Sequence, residues 1–227
     1  ALEALINSLA DGVTAINEPK PAASGPPDFT VPGGAIVIGH IEAKDVGVSL
    51  TKLNDSNKAQ QDRYLKALPN LVYTNCLDWQ FFRNEKLMAS VSIGCIEGSG
   101  LRVLVDQFVV LENLLRDFIA QRPQTVTSPR VLAGMMAGKA VLIKDVLRLA
   151  LLADAEGATP LAGQYRAFSE HLIHDITIED FADLYAETIA YGMFAARLHD
   201  TSLNNFSRQE ALELLPKSNP FLRSLFG

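Results

Sequence analysis

Two carboxylates and a lysine stand near the N-terminal end of the sequence at a spacing that could support chemistry on phosphate. Pro27-Asp28 precedes one apolar run, and Glu42-Ala43-Lys44 ends the next. Two carboxylates that share a hard cation are the arrangement that magnesium favours, with waters and phosphate oxygens as its further ligands. A lysine beside them can orient an attacking water or stabilise charge that develops on a phosphorane. The spacing is therefore compatible with metal-dependent hydrolysis of a phosphodiester bond.

A strand must position this lysine and one of the carboxylates. Residues 35–44 are β-branched and apolar enough to predict a central strand, on which His40, Glu42 and Lys44 share one face. A charged pair on such a strand is costly to bury unless its members pair together or serve a site. A short strand over residues 28–31 and a Pro-Gly-Gly turn precede it, which predicts that Asp28 lies beside Glu42.

A helix predicted over residues 55–68 adds two more polar side chains. Gln60 and Tyr64 are four positions apart and hence lie on one face of this helix. Gln60 can supply an amide oxygen near a metal or an amide N–H to a phosphate, and Tyr64 can offer its hydroxyl to a DNA backbone. Packing of the Tyr64 ring against the sheet is the alternative role.

Taken in order, these motifs resemble the PD-(D/E)XK nuclease superfamily, in the branch with a Q-x-x-x-Y motif found in Mrr-like and type I restriction subunits. The resemblance implies an α/β fold in which helices flank a restriction-endonuclease-like mixed sheet. It also implies a role for each matching residue: Asp28, Glu42, Lys44 and Gln60 as catalytic residues, Asp28 and Glu42 as ligands of Mg2+, and Tyr64 and Glu18 as accessory or DNA-contacting residues.

The accessory glutamate has more than one candidate position. Glu18 lies in a proline-rich predicted loop, whereas some superfamily members carry a metal-linked glutamate on the first helix. A helical equivalent here would be Glu3, or a residue upstream of Ala1.

Longer stretches resemble the N-terminal part of single-chain (type ISP or type IIG-like) restriction-modification enzymes. They are residues 17–19, 27–29, 40–47, 74–79, 181–188, 191–198 and 219–222. In that family a helical spacer joins a nuclease domain to an adenine-specific DNA methyltransferase. The resemblance implies a nuclease domain at residues 1–99 and an all-α spacer domain at residues 100–227. It further implies double-stranded DNA as the substrate and pairing of two nuclease domains for cutting both strands.

The methyltransferase itself is not recognisable in the sequence. Such a domain needs a Gly-rich loop and an Asn/Asp-Pro-Pro-aromatic motif, and Asn219-Pro220-Phe221 lacks the second proline. The chain is therefore expected to be an N-terminal fragment. Its partners would be downstream methyltransferase and target-recognition domains, and S-adenosylmethionine would bind only there.

From Val103 onward the hydrophobic period is helical. The predicted helices cover residues 104–121, 129–154, 161–174, 178–199 and 207–214. A domain boundary is predicted near residues 98–100.

Composition excludes several classes of protein. The formal charge of −6 argues against broad, non-specific attraction to nucleic acid. Two cysteines match neither a disulfide framework nor a zinc pattern, which favours a reducing, cytoplasmic setting. Charged residues interrupt the longest apolar stretch, residues 131–153, so no membrane span is predicted.

Structural roles compete with functional ones at several positions. His40 is expected to pack on its strand, and His171 and His174 to mark a solvated helix end. Trp79, Phe81 and Phe82 alternate faces on a strand, so a place in the core is expected for some of them, and stacking of one on a base is the alternative. One stripe is expected to bury against neighbouring helices: Phe181, Leu184, Tyr185, Ile189, Met193 and Phe194. For the whole chain, the alternative to a nuclease is a catalytically silent nuclease-like module that docks DNA or a partner domain through its helical half.

Overall fold

The computed structural model describes residues 2–10, 13–17, 25–33, 36–98, 100–121, 126, 128–200, 211 and 213–214. The chain forms two compact units, each described here by itself. Unit 1 comprises Ala1–Lys20 and Pro26–Gly138, and unit 2 comprises Pro21–Gly25 and Lys139–Gly227.

Unit 1 is built on a mixed six-stranded sheet whose strands stand in chain order. Its elements are α1 (Leu2–Asn7), β1 (Ile16–Asn17), β2 (Phe29–Gly33), β3 (Ile36–Ala43), α2 (Asp55–Ala67), β4 (Asn70–Thr74), β5 (Asp78–Arg83) and β6 (Lys86–Ser92). The strands β3 and β4 are parallel and are joined through α2, whereas the other neighbours in this sheet pair antiparallel. The predicted α/β class, with a mixed sheet and helices, is confirmed.

A second hairpin follows this sheet and was not predicted. The strands β7 (Gly94–Glu97) and β8 (Gly100–Val103) pair antiparallel, and Gly98 takes a φ of +60° in their turn. The four residues of β8 are all exposed, so the hairpin lacks the alternation of apolar and polar residues that marks a half-buried strand. This turn occupies the predicted domain boundary, and the division into domains at residues 1–99 and 100–227 stays a prediction.

The two faces of the six-stranded sheet are covered by different helices. One face packs against α1 and α3 (Gln107–Ile119) around an apolar core formed by Ile6, Leu9, Ala15, Val31, Ile41, Val72, Trp79, Phe81, Val91, Leu111, Leu115, Phe118 and Ile119. The other face meets α2, whose Gln60 and Tyr64 are buried. Alternation along β3 therefore sends Ile41 into the apolar core and Glu42 towards α2.

Unit 2 is helical. It contains the later part of α4 (Pro129–Ala153), α5 (Pro160–His171) and α6 (Ile178–His199), close to the predicted ranges. The side chains of Thr159 and Thr177 cap α5 and α6 by accepting hydrogen bonds from backbone N–H groups. The helix predicted over residues 207–214 falls mostly outside the described residues. Within the described part of the chain, no helix is both long and apolar enough to cross a membrane.

The predicted apolar stripe on α6 is confirmed in most of its length. Phe181 and Tyr185 are buried, and Ile189 and Met193 pack against the same core. The prediction is wrong for Leu184, which is 40% exposed, because helical spacing places it outside the face that carries the buried residues of α6.

A close approach in unit 1 fixes α3 on the sheet. Gly39 of β3 lies beneath Phe118 of α3, and a Cβ atom at position 39 would meet the Phe118 ring at 2.6 Å. The amide of Asn70 ties the same elements together, because its Nδ2 donates to the carbonyl oxygens of Ile38 at 3.0 Å and of Phe118 at 3.2 Å. The second bond satisfies a carbonyl at the C-terminal end of α3.

We expect Gly39→Ala to lower the free energy of unfolding by about 1–3 kcal/mol, because the added methyl overpacks a closed contact. The measurement is urea unfolding followed by circular dichroism. Gly134→Ala is the matched control, since a Cβ at position 134 of α4 meets nothing within 4 Å and alanine favours a helix. A Gly39→Ala variant as stable as the parent would contradict the packing of α3 on β3.

Candidate active site

The register between β2 and β3 positions the two carboxylates of the site. Phe29 pairs with Ile41 and Thr30 with His40, so one further step along this antiparallel register sets Asp28 opposite Glu42. The Asp28 carboxylate accepts a hydrogen bond from the Ala43 N–H, with 2.7 Å between Oδ2 and N. Directly opposite residues have Cβ atoms about 4.5–5.5 Å apart, and like charges there repel. A cation beside two such carboxylates would offset this repulsion.

Lys44 provides one positive charge at this position. Its Nζ donates to Glu42 Oε1 at 2.8 Å and to Gln60 Oε1 at 2.5 Å. The Lys44 N–H donates to the Thr74 carbonyl oxygen at 2.7 Å, which holds the backbone against the end of β4. Glu42 is 0% exposed and the Lys44 side chain 12% exposed, so their ion pair is a buried one.

Gln60 and Tyr64 approach the strands from α2. The side chain of Asn54 caps this helix by accepting from the Asn57 N–H at 2.8 Å. Gln60 Nε2 donates to Tyr64 Oη at 3.2 Å, so a single amide joins the lysine to the tyrosine. The Tyr64 ring is buried against the sheet, as the packing alternative predicted, while its contact with DNA stays a prediction.

Tyr73 also belongs to this site and was missed in the sequence. It pairs with Glu42 in the parallel register of β3 and β4, and Lys44 Nζ lies 6.0 Å from the centre of its ring. Its ring contacts those of Tyr64 and Phe82, with centroids 6.5 Å and 6.4 Å away. No motif marks this position, because only the pairing of β4 with β3 brings it to the carboxylates.

The two tyrosine hydroxyls lie in the field of the carboxylates. Burial raises the pKa of Tyr64 and the pKa of Tyr73 well above the usual value, and the charge of Glu42 raises both further. Asp28 acts on both pKa values in the same direction. Arg63, a second residue that was missed, lowers both, which puts its guanidinium within electrostatic range of the site. Both phenols are therefore neutral hydrogen-bond donors at physiological pH.

The donor set of this site fits a hard cation. Among the described residues, no group of three or more His, Cys, Asp and Glu side chains is placed to hold a metal ion. Asp28 and Glu42 instead offer two carboxylates, and Gln60 adds an amide oxygen. Mg2+ is commonly held by one or two carboxylates, with waters and substrate phosphates as the other ligands. The residues present therefore match the predicted Mg2+ better than a softer metal.

Other candidate residues are not brought to this site. Glu3 is exposed on α1, which packs on the opposite face of the sheet, and Glu18 lies outside the described residues. His40 has its Nδ1 3.3 Å from Thr30 Oγ1 on the neighbouring strand. Trp79 lies in the apolar core, as predicted.

A cavity of about 530 Å3 in unit 1 lies away from these residues. It opens on the apolar face of the sheet, between α1 and α3, and Leu5, Trp79, Phe108 and Leu111 are among its lining residues. None of the predicted site residues that the structure describes lines it. Asp28, Glu42, Lys44, Gln60 and Tyr64 are joined instead by the hydrogen bonds and strand register on the α2 side of the sheet.

Comparison with known proteins finds similarity to solved structures. No protein-family model matches the chain, and no curated protein matches it. Among solved structures, the chain is similar to a cryo-EM structure of a DrdV–DNA complex, with 17% sequence identity and a TM-score of 0.41. The similarity covers 99% of this chain and 21% of that chain, so the present chain spans about a fifth of that protein's length.

We expect Lys44→Met to lower the free energy of unfolding by about 3–5 kcal/mol, because it leaves the Glu42 carboxylate buried without its partner. The double variant Glu42→Gln/Lys44→Met removes both charges and should be more stable than Lys44→Met alone. Urea unfolding of the parent, both single variants and the double variant completes the cycle. Additive effects of the two substitutions would contradict the ion pair.

Proposed function

We propose that unit 1 carries a Mg2+-dependent DNA endonuclease site of the PD-(D/E)XK type. The observation that supports this most strongly is the convergence of four predicted residues from three separate segments. Asp28 lies opposite Glu42 by strand register, and Lys44 Nζ joins Glu42 Oε1 to Gln60 Oε1. A sequence motif that matched by chance would have no reason to assemble in this way.

In the proposed mechanism, Asp28 and Glu42 would hold the cation, and Gln60 would contribute its amide oxygen. Mg2+ would supply Lewis-acid stabilisation of charge on the phosphate. Lys44 has three N–H donors, and two are given to Glu42 and Gln60 among the described residues. The third is available to orient an attacking water or to stabilise a phosphate oxygen.

The approach to this site is limited by burial. Glu42 and Gln60 are buried, whereas Asp28 and Lys44 are half-buried and form its accessible side. A phosphodiester would therefore meet Asp28 and Lys44 first. Because burial lowers the local dielectric constant, the electrostatic effect of Lys44 on developing charge would be stronger than in water.

The wider setting of this proposal is a fused restriction-modification enzyme that cuts double-stranded DNA. In it the helices after unit 1 would connect the nuclease to a downstream methyltransferase. The competing proposal is a silent docking module, in which Asp28 and Glu42 would neither bind a divalent cation nor support cleavage.

Conservative variants of the chain test the nuclease proposal. We expect Asp28→Asn and Glu42→Gln to weaken divalent-cation binding and to reduce cleavage by about 10²–10³-fold, since each removes a charge but keeps a hydrogen-bond acceptor. Lys44→Gln should reduce cleavage similarly while retaining the cation ligands. Calorimetry with Mn2+ measures binding, and Mg2+-dependent nicking of a supercoiled plasmid measures cleavage.

Asp62→Asn is the matched control for these variants. Asp62 is a half-exposed carboxylate on α2 that pairs with Lys58 at 2.8 Å, outside the site. It should bind Mn2+ and nick the plasmid as the parent does. Equal nicking by the parent, Asp28→Asn and Lys44→Gln would show that the nuclease proposal is wrong, and a parent that neither binds Mn2+ nor cuts would support the docking module.

A further inference from the structure

The hydroxyl of Tyr73 has no hydrogen-bond partner among the described residues, although it is completely buried. A buried donor without a partner loses its hydrogen bonds to water and gains none from the protein. Native proteins rarely keep such a group without a reason, and a catalytic role or a bound water or ion is among the usual ones.

Packing alone does not account for the hydroxyl. The ring of Tyr73 contacts Tyr64 in a tilted arrangement and Phe82 edge-on, and a phenylalanine ring would make both contacts. The same sheet does use phenylalanine at nearby positions, with Phe81 in the core and Phe82 opposite Leu71. The hydroxyl is thus the one part of Tyr73 that the packing does not require.

Charged side chains of the site lie near Tyr73. Tyr73 pairs with Glu42 across β3 and β4, and one further step of the β2–β3 register sets Asp28, just before β2, opposite Glu42. Lys44 lies over the ring of Tyr73 and cannot accept a hydrogen bond. A neutral phenol in this position has carboxylates near it and needs an acceptor within reach of its O–H.

We propose that Tyr73 is a positioning residue of this site, whose hydroxyl donates to a water held against Asp28 and Glu42 and so strengthens the binding of a divalent cation there. This inference rests on the proposed metal site. Groups that hydrogen-bond to the ligands of a metal orient those ligands, and their loss commonly weakens metal affinity about 10–100-fold.

Tyr73→Phe tests this, because it removes only the oxygen. We expect its affinity for Mn2+, measured by calorimetry on the full chain, to fall about 10–100-fold. Its melting temperature without divalent cations should be equal to that of the parent or higher, since the substitution removes an unpartnered buried group. A merely structural tyrosine would show the opposite pattern, with a lower melting temperature and unchanged affinity.

Two reference variants make the outcomes distinguishable. Tyr191→Phe alters an exposed tyrosine of α6 and should change neither quantity. If Asp28→Asn abolishes Mn2+ binding while Tyr73→Phe binds as tightly as the parent, the inference about Tyr73 is wrong and the proposed metal site is unaffected. If Asp28→Asn also binds as the parent does, the proposed metal site is wrong and the role of Tyr73 is overturned with it.

Discussion

The buried carboxylate of Glu42 is the constraint on which the rest of unit 1 depends. A carboxylate with 0% exposure costs several kcal/mol unless a cation and hydrogen-bond donors compensate it. Lys44 can compensate it only because β3 points both side chains to one face, and Gln60 helps to hold the ammonium only because α2 lies over that face. The Lys44 ammonium group therefore links β3 to α2.

The two faces of β3 lie in different environments. Ile41 enters an apolar core with α1 and α3, and its neighbour Glu42 enters a polar cluster beneath α2. The apolar face supplies the burial that stabilises the sheet, and this lets the opposite face carry charges that would not stabilise a fold by themselves. Gly39 lets α3 approach the strands closely, and Asn70 holds α3 there by a hydrogen bond.

How far the sequence predicts the site depends on how local each relation is. Glu42 and Lys44 follow from alternation along one strand, and Gln60 and Tyr64 from the helical repeat, so their shared faces were predictable. Tyr73 depends on the parallel register of β3 with β4, which no short pattern encodes. The hairpin β7–β8 escaped prediction because its exposed residues show no apolar alternation, and the docking of α3 on the sheet is a contact between distant segments.

Lys44 determines which groups donate and which accept in the hydrogen bonds of the site. An ammonium only donates, so Gln60 must turn its amide oxygen to Lys44 and its Nε2 to Tyr64. Tyr64 Oη is then an acceptor in that bond, and its own proton is directed to a different acceptor. The remaining N–H of Lys44 and the O–H of Tyr73 are two further donors on this side of the sheet. In the proposed nuclease site, such donors would be complementary to oxygen atoms held by a cation, whether they belong to water or to a phosphate.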